Sequence, residues 1–158
     1  MHFKEGQIEG VVWNRLITRR DQRGWLCELY RQDEIPQEYH PVMCYISMTE
    51  PGVVRGPHEH VDQADYFCFI GPSDFQIFLW DSRPKSSTFG VREVRLAGQT
   101  EPMALIVPAG VVHAYKNVGK EGGIVFNAPN RLYRGHGKKE TVDEIRHEDK
   151  ADSIYLMD

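Results

Sequence analysis

The sequence predicts an all-β protein, an antiparallel sandwich, jelly roll or barrel, on three observations. Ten short apolar runs fall between residues 8 and 128, turn-forming residues punctuate them, and no run carries the apolar spacing of a crossover helix. In order, residues 11–16 and 25–30 flank Asp21-Gln-Arg-Gly24, and residues 42–48 and 53–60 flank Pro51-Gly52. Residues 66–70 and 75–80 are separated by Gly71-Pro-Ser-Asp74. Their sequences, YFCFI and FQIFLW, are apolar nearly throughout and predict strands buried on both faces. Residues 91–96, VREVRL, alternate as a half-exposed strand does. The runs at 105–107, 111–115 and 124–126 follow AGQTEP, Ala109-Gly110 and GKEGG in turn. After Pro129 the chain becomes polar and charged, which predicts an appended tail over 129–158 with one short helix around residues 141–147.

A length of 158 residues fits one domain, expected to span 1–158 with its barrel over about 8–128. With 41% hydrophobic residues the chain can build a core without disulfide or metal staples. The 19 Lys and Arg against 23 Asp and Glu include no basic block, so nucleic acid is not an expected partner. The charged opening MHFKEGQIEG and the lack of a long apolar run predict a soluble, cytoplasmic protein without a membrane partner. Cys27, Cys44 and Cys68 lie in apolar stretches without CxxC spacing and read as buried reduced thiols. Trp13, Trp25 and Trp80 read as core, with stacking on a nucleotide base as the alternative for Trp25.

The chemistry concentrates in Gly52-Val-Val-Arg55-Gly-Pro-His58-Glu-His60-Val-Asp-Gln63-Ala-Asp65 and in Pro108-Ala-Gly110-Val-Val-His113-Ala-Tyr-Lys-Asn117. His-x-His on a strand sends both imidazoles to one face, and a third His follows a turn at the start of another strand. Three histidines and a carboxylate can then converge, and His/His/carboxylate/His suits a divalent Fe, Mn, Ni or Zn ion. Asp65 can equally be a turn residue satisfied by backbone donors, with Gln63 serving instead. His2, His40, His136 and His147 carry no motif and are expected to be structural or solvated.

These two segments resemble the paired motifs of the cupin superfamily, which implies a double-stranded β-helix, the cupin jelly roll. In metal-binding cupins the matching residues are His58, His60, Asp65 and His113. A narrower resemblance, over roughly residues 18–147, is to the dTDP-4-dehydrorhamnose 3,5-epimerases. Asp21-x-Arg23-Gly24-Trp25-x-x-Glu28, Gly52-Val-x-Arg55-Gly-x-His58, Asp81-x-Arg83 and Thr88-Phe89-Gly90 match that family's motifs in order. The resemblance implies a homodimer acting on a nucleotide sugar without a cofactor. It makes His58 the general base with Arg55 beside it, assigns Arg23 and Glu28 to the nucleotide, and adds Ser47 and His113 to the substrate contacts.

Several family groups are replaced. The family's Lys aligns with Asp65, its catalytic Tyr with Phe126, and its Q-x-N-x-S with Met43-x-Tyr45-x-Ser47. No carboxylate to orient the catalytic His is evident before Asp158. Tyr133 is a replacement acid or a surface residue. Three functions stay open: an epimerase, a metal-dependent cupin enzyme in which His58 is a ligand, and a silent sugar- or nucleotide-binding cupin.

Overall fold

The computed structural model describes residues 2–157; Met1 and Asp158, the ends of the expected 1–158 span, lie outside them. The described residues form thirteen strands. The first seven are β1 (Lys4–Glu5), β2 (Val12–Arg15), β3 (Thr18–Asp21), β4 (Gly24–Cys27), β5 (Tyr45–Thr49), β6 (Val54–Glu59) and β7 (Asp65–Gly71). There follow β8 (Asp74–Asp81), β9 (Val91–Gly98), β10 (Met103–Val107), β11 (Val111–Asn117), β12 (Gly123–Asn127) and β13 (Ile145–Arg146). Each of the ten expected runs is a strand. β1, β3 and β13 are additions, short and polar, without the alternation that marks a strand in sequence.

Two sheets face each other. One runs β1-β9-β8-β11-β6-β13 and the other β2-β10-β7-β12-β5, while β3 and β4 pair as a separate hairpin. This is the jelly roll that the sequence predicts. Phe67, Phe69, Phe75, Ile77, Leu105 and Val125 fill the space between the sheets. A second layer covers the outer face of the five-stranded sheet, where Leu16 and Ile35 pack on Tyr66, Cys68 and Ile106. A third covers the other sheet, where Tyr155 packs on Phe78 and Trp80. These outer layers explain why β7 and β8 are apolar on both faces.

The tail is therefore not an appendage. The tail is helical only over the short 3-10 turn His136–Lys138 and not over 141–147, where Ile145 and Arg146 pair with Glu59 and His58, extending the six-stranded sheet. Val142 and Ile145 keep helical spacing, but Arg146, Glu148 and Asp149 fail to continue the stripe, and Tyr155 anchors the tail by burying its ring against Trp80. His147 is buried, with Nε2 2.9 Å from Glu59 Oε1, a structural histidine as expected.

The three cysteines are free, but only Cys68 is buried; Cys27 is half-buried and Cys44 is exposed, since no layer covers the chain just before the edge strand β5. Trp80 is core and Trp13 packs at its margin, whereas Trp25 is 52% exposed on the β3–β4 hairpin. The Asp81-x-Arg83 and Thr88 motifs are architectural. Buried Asp81 accepts hydrogen bonds from Arg83, Ser86 and Thr88, which ties the loop after β8 together.

Candidate active site

His58 lies on β6 and His60 just past its end, with the alternation of a strand turning both inward. The antiparallel partner β11 sets His113 opposite His58. That approach requires glycine at 56: φ is +88°, and a Cβ there would lie 2.6 Å from the His113 carbonyl oxygen. The ring centroids are 4.5 Å apart for His58–His113, 5.9 Å for His58–His60 and 6.0 Å for His60–His113. Asp65, the first residue of β7, reaches the same point from the opposing sheet, its Oδ2 3.2 Å from His60 Nε2 and 3.5 Å from His113 Nε2. All four side chains meet at one point, where His58 and His60 line the cavity and His113 and Asp65 are buried behind them.

Asp65 is buried and bonded by side chains: Gln63 Nε2 donates to Oδ1 at 3.1 Å and Asn127 Nδ2 at 3.0 Å. It is not a turn residue held by backbone amides, and Gln63 supports it instead of substituting for it. Burial opposes its ionisation, but the His60 hydrogen bond and the neighbouring imidazoles outweigh this and hold the carboxyl below its usual range. Burial likewise opposes a charge on His60. The hydrogen bond and charge of Asp65, with the Asp143 carbonyl accepting from Nδ1, prevail and push His60 up to about 9. Each nitrogen of His60 thus has an acceptor, as an imidazolium requires.

The other two rings are neutral at pH 7. Burial pushes His113 down, and its Nδ1–H donates to the Val111 carbonyl at 3.1 Å, which leaves the Nε2 lone pair buried on the side of Asp65. Burial, and then the proximity of His113, push His58 well below an ordinary histidine, with Glu144 and Glu148 only partly offsetting them.

The tail supplies a carboxylate for His58, which corrects the expectation of none. Glu148 Oε1 lies 4.0 Å from His58 Nδ1, and its Oε2 is buried without a hydrogen-bond partner. Asp143 fastens the same wall: its carboxylate accepts the amide hydrogens of Val61, Asp62 and Gln63 at 2.8–2.9 Å. No motif marks these groups. They arrive by the long-range pairing of β13 with β6.

The cavity they line measures about 1570 Å³, above the ~300–1,000 Å³ of most small-ligand sites. Arg55 lines it, braced by Nε on Thr49 Oγ1 and by Nη2 on the Met48 carbonyl, both at 2.9 Å. Ser47 lines it too, its Oγ 3.4 Å from the Tyr115 hydroxyl. Tyr45 faces it as well, at the position where the family pattern has Asn. Phe126 does not. It packs on the outer layer with Leu16, Ile35 and Cys68, and the inward neighbour on β12 is Asn127. Tyr133 is exposed on the cavity rim. Arg23 and Glu28 are not brought into this cavity: Arg23 is exposed and paired with Asp21 on the hairpin, and Glu28 lines a smaller outer cleft.

The family model described as dTDP-4-dehydrorhamnose 3,5-epimerase matches residues 5–155. The Haloferax volcanii protein named "Probable low-salt glycan biosynthesis epimerase Agl13" is 36% identical over 128 residues, 80% of this chain and 81% of that protein. The Bacillus subtilis spore coat polysaccharide biosynthesis protein SpsL is 35% identical over 113 residues, 72% of this chain and 74% of that one. A dTDP sugar isomerase from Desulfovibrio desulfuricans G20 has the same fold, with a TM-score of 0.81 at 22% identity, covering 94% of this chain and 90% of that one.

Proposed function

The chain belongs to the dTDP-4-dehydrorhamnose 3,5-epimerase family, whose model spans residues 5–155, and on that premise we propose that it transfers a proton next to the ketone of a nucleotide-linked 4-keto-6-deoxy sugar. The observation that carries this reading is His58, a neutral imidazole in a large cavity with the Glu148 carboxylate 4.0 Å from its far nitrogen. A neutral imidazole accepts a proton, and the carboxylate stabilises the imidazolium that results. Arg55 spends two of its five N–H groups on Thr49 and Met48 and offers the rest to the keto oxygen or a phosphate. Ser47 lines the cavity and supplies a further polar contact, while His113, expected to be a substrate contact too, is buried behind His58 and backs it; no cofactor is required.

Incubation with dTDP-4-keto-6-deoxyglucose in D2O tests the reading. Deuterium is expected to enter at a carbon beside the ketone, and its complete exclusion overturns the proposal.

Arg23 and Glu28 act in this scheme from a second copy. The β3–β4 hairpin carries exposed Trp25 and Leu26, and the edge strand β5 carries exposed Ile46 and Met48, apolar surface suited to a homodimer. A monomer in sedimentation analysis would remove both residues from the site. The free thiols suit a reducing compartment, and we assign the protein to the cytoplasm.

A second reading, a divalent metal, is favoured by one observation: His113 Nε2 is buried without a hydrogen-bond partner. The donor atoms of His58, His60 and His113 all lie within 4.8 Å of one another, and Asp65 Oδ2 stands 3.2 and 3.5 Å from two of them. Ligands at ~2.0–2.1 Å from a tetrahedral ion lie about 3.3 Å apart, a spacing that Asp65 already keeps to His60 and His113, while the donor set itself, imidazoles with a carboxylate, is of the kind that takes Fe, Mn, Ni or Zn. His60, His113 and Asp65, with His58, would hold the ion, whose chemistry when bound is Lewis-acid stabilisation of an enolate oxygen. Metal analysis of the purified protein, repeated on His60→Ala and Asp65→Ala, is expected under this reading to give one ion per chain that both substitutions remove. Purified protein without stoichiometric metal ends it.

A further inference from the structure

Epimerisation needs two groups, because a carbon deprotonated on one face inverts only if a proton returns to the other. His58 belongs to the six-stranded sheet. The opposing sheet presents Tyr45 on β5, directly paired with Asn127 on β12. Asn127 Nδ2 donates to Asp65 Oδ1 at 3.0 Å and to the Tyr45 hydroxyl at 2.8 Å. The carboxylate fixes the amide this way round, since Asn127 Oδ1 turned toward Asp65 would set two acceptors face to face. Both amide hydrogens are then committed, the Tyr45 oxygen is an acceptor, and its own hydrogen is left to donate into the cavity that the residue lines.

The other cavity-lining phenols fit less well. Tyr115 is wedged among Phe67, Phe69 and Phe75 with its hydroxyl beside Ser47; Tyr133 and Tyr45 are similarly exposed, at 53% and 48%, but of the two it is the Tyr45 hydroxyl that an amide holds in place.

We infer that Tyr45 is the proton donor of the reaction, delivering its hydroxyl hydrogen to the substrate carbon from the wall opposite His58. The inference rests on the epimerase reading. His58 takes the C–H proton and the electron pair moves to the ketone oxygen. The enolate carbon then forms its new C–H bond on the other face as the Tyr45 O–H bond breaks, which restores the ketone. One proton passing from imidazolium to phenolate through water resets both groups, and no further reactant is consumed. Burial, with the Asp65 charge, pushes the Tyr45 phenol up to about 12, so it carries its hydrogen at neutral pH. Asn127 holds that hydroxyl in register with Asp65 as a positioning residue.

The test is Tyr45→Phe in D2O with dTDP-4-keto-6-deoxyglucose, following exchange and inverted product separately. Deuterium is expected to enter with retained configuration, because His58 still works, while inverted product falls by ~10²–10⁴-fold. Retained exchange also shows that the variant is folded. Inversion at the unaltered rate overturns the inference, as does joint loss of exchange and inversion, which makes Tyr45 a binding or structural residue. Loss of inversion in Tyr133→Phe instead transfers the role to Tyr133. Absence of exchange in the unsubstituted protein overturns the epimerase reading itself, a distinct outcome.

Discussion

His58→Ala is expected to lower deuterium exchange and turnover of the 4-keto sugar nucleotide by ~10²–10⁴-fold, the range typical of a positioned general base. The side chain is 16% exposed and faces a cavity, so its loss removes a proton acceptor without opening a void in the packed core. Glu148→Gln should have a smaller effect. A unit charge 4.0 Å from the forming imidazolium is worth at most ~4 kcal/mol at an effective dielectric constant of about 20, and Arg146 already holds the same Glu148 oxygen at 3.1 Å. A decrease of about tenfold, equivalent to ~1.4 kcal/mol, is the expected outcome. Rates of His58→Ala equal to those of the unsubstituted protein remove His58 from the mechanism. A Glu148→Gln loss as large as that of His58→Ala makes the carboxylate a reacting group.

What was legible in the sequence follows from the range of the forces involved. The ten apolar strands and the inward turn of His58 and His60 depend on alternation within one strand, and a single sequence carries that pattern. The meeting of His113 with His58 was legible only through the paired motifs, since nothing local joins β11 to β6. Glu148 was invisible because its segment reads as polar tail, and only the pairing of Ile145 with Glu59 brings it to the site. Phe126 shows the converse error: alignment matched it to a catalytic Tyr, but side chains alternate along β12 and it faces the outer layer while Asn127 faces in. Tyr45 stands in the sequence only as a departure from the family pattern, and the cross-strand amide that holds its hydroxyl is something no spacing rule reveals.

Asp65→Ala, in protein kept free of metal by chelation, is expected to cost ~3–5 kcal/mol of stability, because it strands the His60 imidazolium in a buried site with one acceptor gone. For a chain of this length that lowers the melting temperature by roughly 6–20 °C. The pH dependence separates this cause from simple cavity formation. His60 is raised to about 9 in the folded state against ~6.5 unfolded, so its share of the pair's stability is complete below ~6.5 and is lost as pH rises through about 9. Asp65 is lowered from its unfolded ~3.9, so its share is present above that value and is lost as pH falls below it. The melting-temperature gap between the unsubstituted protein and Asp65→Ala should therefore be widest between pH ~4 and ~6.5 and narrow toward pH 9. His58, depressed by burial, destabilises the fold as pH drops below ~6.5 in both proteins, whereas His113 loses in Asp65→Ala the carboxylate that partly offsets its burial, which adds to the gap on the acid side and not toward pH 9. Differential scanning calorimetry from pH 4 to 10 makes the measurement, and a gap that stays constant across that range would refute a charged His60–Asp65 pair as its source.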